Sequence, residues 1–158
     1  MIKKIKVILI VVFPILMMSC GFKPLMQKNN GQIYFQNLNV TGERRIAYSL
    51  KNNILLISDK DSKNKYDSKI EIVVKKKNKT KDSKGQITRY NLSLSATLEL
   101  KKLATNTTIQ KTFIRKADYD VADIHSNTID NENNARKNVT QQISDDIINY
   151  ITISMRGM

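Results

Sequence analysis

The sequence predicts a small α+β domain: two helices packed on one face of a four-stranded, largely antiparallel sheet, in the order β-α-β-β-β-α. Three observations predict it. Residues 89–101 alternate polar and apolar side chains over more than ten positions, two stretches with helical apolar spacing flank the strand signals, and a short greasy leader precedes everything else. At 158 residues the chain is long enough for one modest core and too short for a second full domain.

The leader is read first because it sets the compartment. Residues 1–6 carry Lys3, Lys4 and Lys6, and residues 7–18 are uninterruptedly apolar. A spanning helix needs about twenty apolar residues, so this run is a signal h-region rather than a permanent anchor. It ends in Leu16-Met17-Met18-Ser19-Cys20-Gly21-Phe22. A thiol behind a small residue that closes an apolar run suits a lipoprotein signal peptidase, so residues 1–19 read as the signal and Cys20 as the lipidated residue. The other reading of the leader is a plain secretory signal cleaved elsewhere. Residues 20–32, with Pro24 and Gly31 and no regular period, read as a tether, and the folded domain as 33–158.

Within the domain, residues 33–38 form a short β-branched and aromatic run, a first strand, and 39–42 turn the chain. From 43 to 57, Ile46, Ala47, Leu50, Ile54 and Ile57 share one helical face, with Glu43 expected in the first turn, where an acid suits the helix dipole. Residues 58–67 alternate in charge sign and read as a solvated loop. Ile70, Ile72 and Val74 alternate in the second strand. Residues 75–85 are the most basic stretch, end in Gly85 and lie between strand signals, so they read as a hairpin loop with its lysines in solvent.

The third strand is the clearest signal. Tyr90, Leu92, Leu94, Ala96, Leu98 and Leu100 face one way over a span of roughly 40 Å, which predicts a long sheet wet on its other face or covered there by a polar surface. Asn106 and Thr107 turn into a fourth strand through Ile109, Phe113 and Ala117. From 127 to 153, Ala135, Val139, Ile143, Ile147, Tyr150 and Ile151 return to helical spacing, with Asp130 and Glu132 expected to serve the dipole near the start.

Composition narrows the function classes. The formal charge is +13, of which the leader lysines account for three, so the mature chain keeps +10 and its surface favours acidic partners. One cysteine allows no internal disulfide, and lipidation removes what would otherwise be a free exposed thiol. His125 is the sole histidine; it stands near Asp118, Asp120 and Asp123 without a nucleophile elbow or a metal-ligand pair, so it reads as a surface residue. No catalytic residues, metal or cofactor are expected. The basic stretch contains no aromatic for base stacking, and export separates the chain from cytoplasmic nucleic acid, so nucleic-acid binding is not expected either.

Cys20-Gly21-Phe22-Lys23-Pro24-Leu25, the element order, and Arg89-Tyr90-Asn91-Leu92 at the start of the third strand resemble the LPS-assembly lipoprotein LptE family. The resemblance covers essentially the whole mature chain. It implies a non-enzymatic outer-membrane lipoprotein, anchored on the periplasmic side, that plugs the LptD β-barrel, supports its assembly and takes part in lipopolysaccharide delivery. A polar sheet face suits the polar lumen of such a barrel. The family places a basic lipopolysaccharide contact in the loop before the third strand. By position that contact falls on Lys75, Lys76, Lys77, Lys79, Lys81, Lys84 and Arg89, with Lys81 and Lys84 nearest the strand. A second basic site, after the fourth strand, has no clear counterpart here, where residues 118–125 offer only His125. The alternative is an envelope lipoprotein that binds another anionic ligand without a barrel partner.

Overall fold

The computed structural model describes residues 33–155. The expected signal at 1–19, the expected lipidation at Cys20 and the expected tether at 20–32 lie outside the described residues, as do residues 156–158. Six elements follow one another: β1 (Tyr34–Thr41), α1 (Arg44–Leu55), β2 (Lys65–Lys81), β3 (Ile87–Lys102), β4 (Thr107–Asp120) and α2 (His125–Ser154). The strands lie side by side in sequence order. β1 runs parallel to β2 and the other neighbours are antiparallel, because α1 carries the chain back across the sheet before β2 begins. The α+β class and the largely antiparallel sheet agree with the sequence reading.

The alternation in β3 decides which face is buried. Leu92, Leu94, Ala96, Leu98 and Leu100 are all at most 1% exposed. Register sets Ile70 beside Leu98 and Ile72 beside Ala96, and on the other side Phe113 beside Ala96 and Ala117 beside Leu92. Onto this surface α2 lays Val139, Ile143, Ile147 and Ile151, while α1 contributes Ile46, Leu50 and Ile54 to the same core. Neither helix has a side-chain cap or an acid in its first turn. A missing cap costs about 1 kcal/mol, whereas each buried aliphatic side chain contributes roughly 1.5–3 kcal/mol, so packing holds these helices and capping does not.

Cross-helix contacts fix direction. Glu43, just before α1, reaches Arg136, and Asn53 near the end of α1 donates to Ser144 Oγ at 3.1 Å, so the two helices run parallel. Ser144 is fully buried and its hydroxyl donates back to the Thr140 carbonyl at 2.9 Å, which satisfies it where α1 passes. α2 runs antiparallel to β4, as the successive pairs Tyr119 with Glu132, Arg115 with Asp146 and Phe113 with Tyr150 show. The molecule therefore has two poles. At one gather Ile33, the loop before β2, the β3–β4 turn and the C-terminal ends of both helices; at the other stands the β2–β3 turn.

Several sequence expectations are corrected. β1 continues to Thr41, so the turn shrinks to Gly42 and Glu43. Residues 65–67 and 75–81 are strand, so neither the expected loop at 58–67 nor the hairpin loop at 75–85 has its full extent. The lysine run lacks an apolar phase of its own, but its backbone is held in register by residues 87–93 of β3. Glu43 is the cap residue of α1 rather than part of its first turn, and its carboxylate is taken by Arg136. Finally, α2 begins at His125, which leaves Asp130 and Glu132 beyond its first turn, and β4 already includes Asp118 to Asp120.

Candidate anionic-ligand surface

The geometry of β2 divides the predicted basic residues between two faces. Lys76 continues the phase of Ile70, Ile72 and Val74 and so points toward the helices, while Lys75 and Lys77 point to the open face. Irregularities between Asn78 and Lys81 then shift the phase toward the turn. That turn is organised by Asp82: its backbone N–H donates to the Gln86 carbonyl, and its Oδ1 accepts from the N–H groups of Lys84 and Gln86 at 2.9 and 2.8 Å.

Three of the seven predicted residues are neutralised within the fold. Lys76 Nζ lies 2.6 Å from Glu132 Oε2 and 4.2 Å from the centre of the Tyr90 ring. Lys79 pairs with Asp118, whose other oxygen accepts from Asn91 Nδ2 at 2.7 Å. Arg89 pairs with Asp120, its register partner across β3 and β4, at 2.6 Å. Hydrogen bonds from Lys79 and Asn91 hold the Asp118 carboxyl below its ordinary range. Sequence reasoning missed these partners because a strand register is needed to bring 79 to 118.

Lys75, Lys77, Lys81 and Lys84 are left with no ion pair among the described residues. Lys116 joins them: one cross-strand row runs Lys75, Ser93, Lys116. Two strand spacings put those ammonium groups' backbones about 10 Å apart, with only the small Ser93 between them. The alternation of β4 could have revealed Lys116, but only once its register was known. The open face around this row is built of short polar side chains, Ser93, Ser95, Thr97 and Thr112, with Val73 and Ile114 exposed in the next row. It is a shallow surface able to meet an anionic group with two lysines and several hydroxyls.

Behind it, on the helix side, a polar cluster fastens α2 to the sheet. Glu132 accepts from Lys76 and Tyr119 on one oxygen, the latter at 2.7 Å, and from Arg136 on the other at 2.8 and 3.0 Å. Arg136 bridges on to Glu43 at 2.5 Å. Burial by itself would raise the Glu132 pKa, yet the donors from Lys76, Tyr119 and Arg136 overcome it and hold the carboxyl at about 2. Next to this cluster a cleft of about 320 Å³ is lined by Lys76, Tyr90, Val121, His125 and Ile129 among others. His125 is exposed, as expected of a surface residue. Among the described residues no group of His, Cys, Asp and Glu is arranged to hold a metal ion, and no helix is long and apolar enough to cross a membrane.

No protein-family model and no curated protein matches the chain. Solved structures do. A chain from Caulobacter crescentus CB15 named as a lipoprotein aligns with 80% of this chain and 92% of its own length at 14% identity and a TM-score of 0.57. Rare lipoprotein B from Shewanella oneidensis aligns over 78% and 97% at 11% identity and 0.59. A minor lipoprotein from Acinetobacter baumannii aligns over 78% and 94% at 12% identity and 0.55. At these identities the likeness is one of fold: the two-helix, four-strand architecture found here is that of chains named as lipoproteins in three organisms.

Proposed function

We propose that the chain is a lipid-anchored envelope protein of the LptE kind: it is held in the outer membrane through Cys20, plugs and supports an LptD-like β-barrel, and helps deliver lipopolysaccharide. The reading is not an enzymatic one. The observation that carries it is a coincidence of two independent features. The junction Ser19-Cys20-Gly21 stands on a sequence whose folded part shares its architecture with three chains named as lipoproteins. In this reading the open sheet face, small and polar, lies against a polar lumen. Phosphates and acidic sugars of the ligand are met by Lys75, Lys77, Lys81, Lys84 and Lys116, whereas Lys76, Lys79 and Arg89 serve the fold.

Purification from detergent-solubilised outer membrane, followed by mass spectrometry, tests the partner. A large β-barrel protein recovered at near one-to-one is expected; lipidated chain recovered alone would favour a free-standing binder of another anionic ligand. For the ligand, Lys81→Glu with Lys84→Glu is expected to weaken lipopolysaccharide binding at least about tenfold, since two attractive contacts become repulsive. Unchanged binding would remove lipopolysaccharide from the role of these lysines.

A further inference from the structure

The two edges of the sheet are not alike. On one side β1 is only eight residues long and has a register irregularity between Phe35 and Asn37. Beyond its end the edge passes to the distal half of β2, which is rich in lysine and irregular at two further points. Short strands, bulges and lysines are the usual means of blunting a sheet edge against unwanted pairing. The other edge, β4, has none of the first two. It runs for 14 residues in unbroken register with β3, and contains neither proline nor glycine. Six of its first eight residues, Thr107, Thr108, Ile109, Thr112, Phe113 and Ile114, are of high β propensity. Ile114 is 58% exposed there. Among the described residues, the one bond to its backbone from outside the sheet comes from Asn131, and it reaches only the last carbonyl, that of Asp120.

We propose that β4 is a docking edge that accepts an extended, acidic strand from a protein partner and so extends the sheet to five strands. Its charges select the occupant. Asp118 and Asp120 are already spent on Lys79 and Arg89, and Arg115 on Asp146. Lys111 and Lys116 are exposed and have no ion pair among the described residues. A second copy offers these lysines no acid: antiparallel self-pairing centred on Phe113 sets Lys111 opposite Arg115 and Lys116 opposite Gln110, and centred on Ile114 it sets Lys111 opposite Ala117 and Lys116 opposite Thr112. Like charges directly opposite one another destabilise a pair, and opposite charges stabilise it. Lys111 lies on the helix side and Lys116 on the open side, so the incoming strand carries acids about five positions apart on its two faces, with a β-branched or aromatic side chain beside Ile114.

The inference does not depend on the barrel reading, and one experiment separates them. The full-length lipidated chain is given a photo-crosslinking side chain, benzoylphenylalanine, singly at Gln110, Thr112 and Ile114 on β4, and at Gln36 and Asn39 on β1 as controls. Crosslinking is done in outer membranes and the adducts are mapped by mass spectrometry. The expected result is one acidic segment of another protein, on which the adduct site moves by two residues for each step along β4, with no such order from β1. Lys111→Glu with Lys116→Glu is expected to lower the yield at least about tenfold without moving the unfolding midpoint. Adducts to a second copy, to lipid, to residues 21–32 of the same chain, to scattered sites, or to nothing would each overturn the proposal. Should a probe variant fail to fold, hydrogen exchange on the unmodified chain gives the same answer: β4 amides must gain protection in the membrane complex relative to the isolated chain. A barrel recovered without ordered β4 adducts removes this inference alone, and ordered β4 adducts with no barrel recovered remove the barrel reading alone.

Discussion

Single positions in this fold carry unequal demands, and the two glycines among the described residues show why. Gly42 has φ of 126°, and a Cβ built on it would stand 2.5 Å from the Ile72 carbonyl oxygen and 2.8 Å from Ile72 Cβ. Gly85, with φ of 81°, has nothing within 4 Å of the same construction. Both need a left-handed backbone, but only Gly42 also needs the empty space, because it lets β1 turn into α1 while pressed against β2. Gly42→Ala is therefore expected to destabilise by about 2–4 kcal/mol, through strain plus a clash with backbone that cannot swing away, and Gly85→Ala by about 1 kcal/mol. Denaturant midpoints of the two variants, compared at equal slope, check this; equal losses would mean that the contact with Ile72 relaxes freely.

At the scale of elements, β3 was legible in the sequence and the far half of β2 was not, for one physical reason. Leu92 to Leu100 announce a buried face by their period of two, whereas Lys75 to Lys81 form a strand whose side chains bury almost nothing and whose conformation is imposed by its neighbour. The helices were legible from Ile46, Leu50 and Ile54 and from Val139, Ile143 and Ile147, because spacing reports packing. What spacing cannot report is which charge meets which, so the basic residues were found and their neutralisation by Glu132, Asp118 and Asp120 was not. The attachment of α2 through Glu132 has a pH signature. Its folded pKa of about 2 lies below the ordinary 4.5, so the carboxylate's contribution is fully present above that ordinary value and is lost as pH falls from about 5 toward 2. The shift corresponds to roughly 3 kcal/mol at most, reduced by the partial exposure of Lys76. Glu132→Gln is expected to cost on the order of 2 kcal/mol at pH 7 and to flatten the fall in stability between pH 5 and 3. Thermal unfolding of both proteins across that range decides it, since an unchanged slope would assign the acid sensitivity to other carboxylates.

The whole molecule is a rod with its chemistry sorted by pole. Ile33, the first described residue after the tether, pairs its carbonyl with Asp59 at the same end as the loop carrying Lys63, while Lys84 sits in the turn at the opposite end. The 16 residues of β3 measure the distance between these poles at roughly 50 Å. The apolar band of an outer-membrane barrel is about 25 Å tall. In the proposed plug reading, a rod lodged upright in such a barrel and anchored at the periplasmic leaflet would carry its lysine-bearing turn through the band to the outer face, while Lys63 would stay on the inner side. Cys20 is the only cysteine, and in the lipidated chain it offers no free thiol, so an introduced thiol is a unique reporter. Lys84→Cys is expected to react with a membrane-impermeant maleimide on intact cells, and Lys63→Cys only after the outer membrane is permeabilised. Protection of both until permeabilisation would place the entire rod on the periplasmic side, which is the geometry of a tethered binder and not of a plug; labelling of both on intact cells would contradict a periplasmic anchor.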